Sequence, residues 1–325
     1  MSTTRSSLVK AMVKDSYSYS WDSYEKEKVV FDQLYDTATS DAAYEQYTSA
    51  IGPGKLTEVG ETVALPSHPI AEGYTVYCKN KKYADTCELS YETIDDNQKL
   101  KNVVKDWMSQ IGTTTALTLE VEHAALFNTG GFTSGNTAFD NSIAGVISPA
   151  YGSFLYDGKP LFALSGNNHT AKNGSTYYNS LGTRTLSGST LEEMTKLISV
   201  TNAFSESGNE VSIVPDTLMV QLNSTNYWIA KRLLESSGDV DAQHSGVTNV
   251  WKAGLNLIGW RFLTTAASIY IGCRRKGLKS LSRMPLTFDT WEDKKHQIHI
   301  VSGTIRAGRC ANNFRYWVAA NLATS

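Results

Sequence analysis

Cysteine is sparse in this chain and shows no metal or disulfide pattern. Cys78, Cys87, Cys273 and Cys310 form no C-x-x-C pair, so the spacing offers neither a disulfide framework nor a zinc signature. Reduced, partly buried thiols of a cytosolic kind are the expected state. Long apolar runs are missing too. The most apolar stretch, 254–272, is interrupted by Asn256 and Arg261, and a membrane span is excluded there. No secretory leader is expected, because residues 1–5 are polar and the apolar patch at 8–13 is short and interrupted. Without an export route, the N-x-[ST] matches at Asn168, Asn173 and Asn223 carry no weight. Charge of one sign is lacking as well: 30 Lys and Arg balance 32 Asp and Glu, for a net charge of −2. Any contact with nucleic acid must therefore come from a local basic patch. Internal repeats are absent.

What the chain does have is length, aromatic residues and one unusual pairing of elements. Its 325 residues suit two domains, or one with a large insertion. Seventeen Tyr and seven Trp are spread along the sequence, which fits cores and extensive subunit contacts. Tyr74, Val76 and Cys78 alternate with Thr75, Tyr77 and Lys79, the period of a strand. Its partner leg is expected at 56–65, making a hairpin arm that starts at the turn cluster 51–55. After Asp95 and Asp96, apolar residues at Leu100, Val104, Trp107, Ile111, Val121 and Ala125 keep the phase of a helix. Such a helix over 96–127 would be about 48 Å long, with Gly112-Thr-Thr-Thr115 as a possible kink. An isolated two-stranded arm is marginal in water, so its leading candidates for inter-subunit contact are Leu56, Val59, Val63, Leu65, Tyr74 and Val76.

Around this centre, residues 1–40 read as a polar, tyrosine-rich arm with a weak helical patch at 29–34. Thr129 to Gly135 is a glycine-rich exit loop, Asp157-Gly158 a turn, 160–164 an apolar run and 166–175 a polar loop. A second helix is announced by Ser189 as N-cap with Glu192 in the capping-box position. A buried strand is expected at 211–214, stopped by Pro215, and a third helix at 225–235. Strand-like runs follow at 268–271, 297–305 and 316–320. The fold class is α+β.

The search for chemistry gives little. The segment Gly272-Cys-Arg-Arg-Lys-Gly277-Leu-Lys-Ser280 follows a strand, but a Walker loop needs Lys directly after its last Gly, and Leu278 intervenes. The alternative is a basic surface loop in which Arg274, Arg275, Lys276, Lys279 and Arg283 face phosphate nonspecifically or stay solvated. His296 and His299, three apart in a strand-like run, would face opposite ways. Glu122-His123 lacks a zincin partner, and His169 with Ser165 lacks a G-x-S-x-G elbow. The acidic pairs Asp95/Asp96 and Glu192/Glu193 suit helix starts. Neither a catalytic residue nor a metal or cofactor site emerges.

The order of segments resembles a known family. Glu58-Val-Gly-Glu-Thr62, the helix-opening Thr93-Ile-Asp-Asp96, its closing Ala124-Ala-Leu-Phe-Asn128, Asp157-Gly-Lys-Pro-Leu-Phe162, the loop with His169 and Tyr178-Asn179, the segment 186–191, Pro215-Asp-Thr-Leu-Met-Val220 and Phe314-Arg-Tyr-Trp-Val318 stand in sequence. From about residue 44 onward this pattern is similar to the major capsid proteins of tailed bacteriophages, the Mu-type major head subunit group with the Hong Kong 97-type fold. The resemblance implies an N-terminal arm (1–44), an extended β-hairpin loop (45–90), and a peripheral domain with a long spine helix (91–188). It also implies an axial domain (189–290) and C-terminal strands returning to the peripheral domain (291–325). It implies a non-enzymatic subunit that self-assembles, through hexamers and pentamers, into an icosahedral shell around double-stranded DNA. The extended loop would lie across the adjacent subunit. Portal and scaffolding proteins would be partners, no membrane would be involved, and assembly would take place in the host bacterial cytoplasm. The short segment before residue 44 points to a separate scaffold. Lys55 has no identifiable cross-linking acceptor. Three other readings remain open at this stage: an encapsulin-like compartment shell, a nucleotide-binding enzyme using 272–280, and a host-binding surface or tail protein.

Overall fold

The computed structural model describes residues 5–51, 56, 58–61, 63–67, 71–96, 99–132, 155–238 and 248–323. The chain opens with helix α1 (Arg5–Lys26), a short α2 (Phe31–Leu34), then β1 (Asp36–Thr39), β2 (Tyr44–Ile51) and the long β3 (Ala71–Ser90). Helices α3 (Tyr91–Asp96) and α4 (Leu100–Asn128) follow, then the two-residue strands β4 (His169–Thr170) and β5 (Thr176–Tyr177). Helix α5 (Gly188–Lys196) runs on into a π-helical turn (Leu197–Thr201). Next come β6 (Thr217–Gln221), α6 (Thr225–Glu235), β7 (Asn256–Trp260) and β8 (Ile269–Gly272). The chain ends with β9 (Leu278–Asp293), β10 (Ile298–Ala311) and β11 (Trp317–Ala320).

Two sheets organise these elements. One has the order β1-β9-β10-β3-β2, the other β11-β8-β6-β7. Helix α4, 29 residues and about 43 Å long, lies along the first sheet and drives its C-terminal end into the main core. There Phe127 is ringed by Tyr35, Phe162, Trp260, Tyr270 and Trp317 at centroid distances of 5.3–6.3 Å. Burying an aromatic of this size contributes roughly 1.5–3 kcal/mol. A second core gathers Leu191, Met194 and Ile198 with Leu218, Leu233, Ile271 and Val318. In that layer β6 and β7 are parallel and α6 makes the crossover between them, as parallel neighbours require.

The N-terminal segment departs furthest from expectation. Instead of a loose arm, α1 packs on α4, burying Val9, Val13, Ser16 and Ser20. These positions keep helical spacing, but two of the four are serine, so the apolar pattern is faint. Gly112 explains the small residues: a Cβ there would lie 2.1 Å from the Ser20 carbonyl oxygen. The glycine thus permits close helix approach, and α4 runs unbroken through 112–115 where a kink was expected. Thr115 and Thr118 tie their hydroxyls back to the Ile111 and Thr114 carbonyls. Phe31, Leu34 and Tyr35 enter the main core.

Other differences are local. The partner of β3 is β2, paired from Tyr44↔Lys79 to Ile51↔Ala71, and residues 56, 58–61 and 63–65 belong to neither strand. The extended segment 211–214 is not a strand, and Val211 and Val214 are exposed. The strand instead follows Pro215, where Thr217 to Val220 are all buried. Ser187, not Ser189, caps α5, its hydroxyl accepting from the Thr190 N–H. Asp95 closes α3 and pairs with Arg5. His296 sits in the turn after β9, while His299 is buried in β10. The expected limit at 290 falls inside β9, and β11 joins the second sheet. Helix α6 and strands β8 and β11 lie where the sequence places them, β10 starts as expected but runs on past 305 to Ala311, and Lys55 lies outside the described residues.

Candidate subunit-contact surface and basic loop

Strand β3 serves two regions. Its C-terminal half, Asn80 to Ser90, pairs with β10, and its N-terminal half, Ala71 to Lys79, pairs with β2. The β2–β3 ribbon is therefore an extension of the first sheet. A register shift between Thr48 and Ala50 marks a bulge, at which the Ser49 hydroxyl accepts from the Tyr74 N–H at 3.0 Å. Gly73 makes room for it, since a Cβ there would lie 2.1 Å from Ser49 Oγ. The Thr48 and Thr75 hydroxyls meet across the ribbon at 3.0 Å.

The six sequence-derived contact candidates divide between the paired ribbon and the segment beyond it. Tyr74 stacks on Tyr156 with ring centroids 3.8 Å apart, and Lys172 Nζ lies 4.9 Å from the Tyr74 ring. Val76 is buried within its own subunit. Tyr74, near the outer end of the paired ribbon, and Val76 thus hold it against its own body. At the tip, Leu56, Val63 and Leu65 are 95%, 64% and 81% exposed, while Val59 is half-buried. Among the described residues, the three exposed side chains have little cover within the single chain.

The five basic candidates occupy the β8–β9 turn and the start of β9. Arg274, Arg275 and Lys276 are exposed. Asp216 takes the Arg274 N–H at 3.0 Å and its guanidinium at 3.3 Å. Burial alone would raise the Asp216 carboxyl, but the Thr217 hydroxyl and Arg274 hold it below the usual range. Arg275 takes a positive φ of 56° and its N–H donates to the Leu34 carbonyl at 2.8 Å. The Lys276 carbonyl accepts from Trp317 Nε1 at 3.0 Å. Lys279 pairs with Asp36, and Arg283 donates to the Ser40 carbonyl at 3.4 Å. Gly277, at φ 78°, is needed where a Cβ would stand 2.5 Å from the Asn313 oxygen. Strand β9 begins directly at Leu278, so no helix N-terminus follows to receive a phosphate. The turn is a basic surface element tied at its edges to the fold. The acidic partners Asp36 and Asp216, remote in sequence, carried no signal that could have found them.

The polar groups on α4 that the sequence left unassigned serve packing. Glu120 accepts from the Val30 and Phe31 N–H groups and from Trp260 Nε1, while burial pushes its carboxyl upward. His123 is fully buried, with Nδ1 2.6 Å from the Leu119 carbonyl and Nε2 2.8 Å from the Ser280 hydroxyl. Burial brings its pKa down to about 4. Arg309 donates through Nε to the Glu122 carbonyl at 2.6 Å and through Nη1 to the Tyr83 hydroxyl at 2.8 Å. His169 donates to Asp157 at 2.9 Å and stacks on Phe314. Among the described residues, no cluster of His, Cys, Asp and Glu is placed to hold a metal ion, and no helix is long and apolar enough to cross a membrane. The four cysteines are free.

The sequence profile of the phage capsid protein family matches residues 73–320, from the arm through β11 and well over half of the chain. No curated protein sequence matches. Among solved structures, the fold is similar to the capsid protein of an empty GTA particle, at 11% identity and a TM-score of 0.55, covering 91% of this chain and 92% of that one. It is likewise similar to the capsid protein of the native GTA particle, at 10% identity and a TM-score of 0.54, with 91% and 92% covered. The capsid protein of the cyanophage P-SCSP1u gives 11% identity and a TM-score of 0.51, with 92% and 89% covered. At such identities the structural likeness speaks for the fold, and that fold is the expected Hong Kong 97-type. With an arm, a spine helix and two sheets in this arrangement, and with the profile running across them, the chain belongs to the phage capsid protein family.

Proposed function

We propose that this capsid protein is the major head subunit of a Mu-type phage, forming pentamers and hexamers that close into an icosahedral shell around double-stranded DNA. The observation that carries this reading is the arm: a two-stranded ribbon rooted in the first sheet, with Leu56, Val63 and Leu65 exposed at its end. A ribbon of this kind gains little stability alone, and an adjacent copy supplies the missing cover. The bodies would follow the sheets. A peripheral part is built on β1-β9-β10-β3-β2 with α1 and α4, and an axial part on β11-β8-β6-β7 with α5 and α6. The reading is structural rather than catalytic. Portal and scaffolding proteins would be further partners, and assembly would take place in the host cytoplasm.

DNA contact is proposed for the β8–β9 turn, by charge alone and without base readout. Arg274 and Lys279 already hold carboxylates, so the contact would fall chiefly on Arg275, Lys276 and Arg283. The test is to express the chain, with a scaffold where one is needed, and image the product by electron microscopy. Closed shells of five- and six-fold units are the expected result; rods, fibres or only free monomers would overturn it. Deleting 56–65 should leave a folded subunit that does not close shells.

A further inference from the structure

Two of the four thiols, remote in sequence, meet on the outer face of the first sheet. Strand β10 runs antiparallel to β3, with Arg306 opposite Lys82 and Gly308 opposite Asn80. Two residues further on, the same register sets Cys310 against Cys78. The neighbouring Arg309 reaches the Glu122 carbonyl on α4, so strand alternation turns Cys310 away from that helix. Cys78 and Cys310 form one small buried cluster with Leu281 of β9, and Ala38 of β1 and Tyr47 of β2 pack against it. All five strands of the sheet thus contribute a side chain. Both cysteines are buried.

Such a placement suits a covalent bond. Facing positions of an antiparallel pair hold their Cα atoms about 4.5–5.5 Å apart, inside the range of roughly 4.4–6.8 Å that a disulfide spans. The other two cysteines are placed differently. Cys87 stands opposite Val301, and Cys273, at the end of β8, donates its thiol to the Val214 carbonyl at 3.2 Å. Burial, and after it the contact with Cys310, pushes the Cys78 thiol well above its ordinary range. At neutral pH Cys78 therefore stays protonated and reacts slowly, because the thiolate is the nucleophile.

We propose that Cys78 and Cys310 form a reversible cross-strand disulfide, a redox staple between β3 and β10, with a small-molecule disulfide as the oxidant. One thiolate of the pair attacks the reagent, releasing a small thiol and leaving a mixed disulfide. The second thiolate then attacks the protein sulfur of that adduct and expels the other small thiol. The chain loses two protons and two electrons, and the reagent takes up both. The bond closes most of the chain, from 78 to 310, into one loop, and a long loop constrains the unfolded state strongly. It sits where β3 leaves β10 and continues beside β2, so it fixes the base of the arm. A reducing medium keeps the staple open and an oxidising one closes it. The pairing belongs to the single chain and does not depend on shell assembly.

The test uses the full chain, purified reduced and then exposed to oxidised glutathione at mildly alkaline pH. Remaining thiols are blocked with a maleimide during denaturation, counted by mass, and the chain is mapped by non-reducing peptide digestion. Two of the four free thiols should disappear, and the map should join the Cys78 peptide to the Cys310 peptide. The reaction should quicken as pH rises toward 9. The thermal midpoint should climb by about 2 °C or more and return on adding dithiothreitol. Cys87→Ser with Cys273→Ser should keep both the bond and the climb, whereas Cys78→Ser or Cys310→Ser should abolish them. Four thiols surviving prolonged exposure, glutathione adducts alone, or a bond joining any other pair would overturn the staple. So would a climb in midpoint that persists in Cys310→Ser. Should the serine variants fold poorly, the peptide map of the wild-type chain decides the question without them.

Discussion

The interior around α4 and the tip of the arm are built on opposite distributions of polarity. Along α4, Glu120, His123 and Arg309 are buried, and their hydrogen bonds go to groups of the same subunit. At the tip, Leu56, Val63 and Leu65 are exposed, next to glutamates that also face water. Around α4 the body hides Glu120 and His123 and gives each its hydrogen-bond partners. The arm leaves apolar groups uncovered in the single chain. One sequence thus separates what is needed to fold from what is needed to assemble, and mutations in the two regions should be felt in different measurements.

The largest effect on folding is expected from Glu120→Ala. It leaves the Val30 and Phe31 N–H groups and Trp260 Nε1 without an acceptor, two of them buried, at about 3–5 kcal/mol in all. Urea unfolding should show it, and a loss below roughly 1 kcal/mol would mean that water replaces the carboxylate.

The second effect depends on pH. His123 is depressed by burial from its ordinary value near 6.5 to about 4, so between those values the unfolded chain binds the extra proton. Stability then rises with pH through that window, and acidification from pH 7 toward 4 removes roughly 3 kcal/mol. Glu120, raised by burial, acts in the opposite sense: as pH falls through its folded pKa, the folded state takes the proton more readily. Unfolding free energies at pH 7 and 4.5 should therefore differ in the wild type, and His123→Gln should flatten the slope. An unchanged slope in that variant would assign the titration to another group.

The smallest folding effect belongs to the tip. Leu56→Ser with Leu65→Ser should change subunit stability by less than about 0.5 kcal/mol, as for exposed positions generally, while reducing shell yield. A large loss of subunit stability would show that the tip packs on its own body and would erase the contrast between the regions.

The parts of this division that were legible in the sequence are those with strong periodicity. Helix α4, helix α6 and the short buried strands β8 and β11 announced themselves through apolar spacing, and the order of motifs gave the fold. Helix α1 did not, because a helix packed through Ser16 and Ser20 against Gly112 uses small residues where periodicity looks for large ones. Strand β9 was missed since Pro285 lies within it and its face alternates irregularly. The partner of β3 was misassigned to 56–65 because the apolar tip reads as a strand when viewed alone. Tyr44 to Ile51, more polar, pairs through its backbone and a bulge, which leave little trace in residue type. Among the candidate contacts, Tyr74 and Val76 alternate correctly yet are satisfied at home by Tyr156 and the sheet. Periodicity gives a face without saying which molecule that face meets.

A single twenty-residue strand, β3, passes from the arm into the middle of the body without a break. Its arm half pairs with β2 and stacks on the body at Tyr74, and its inner half pairs with β10. The arm and the β3–β10 ladder therefore share one continuous backbone. A grip on the arm by an adjoining subunit would reach, along that backbone, the hydrogen bonds that keep the subunit itself intact.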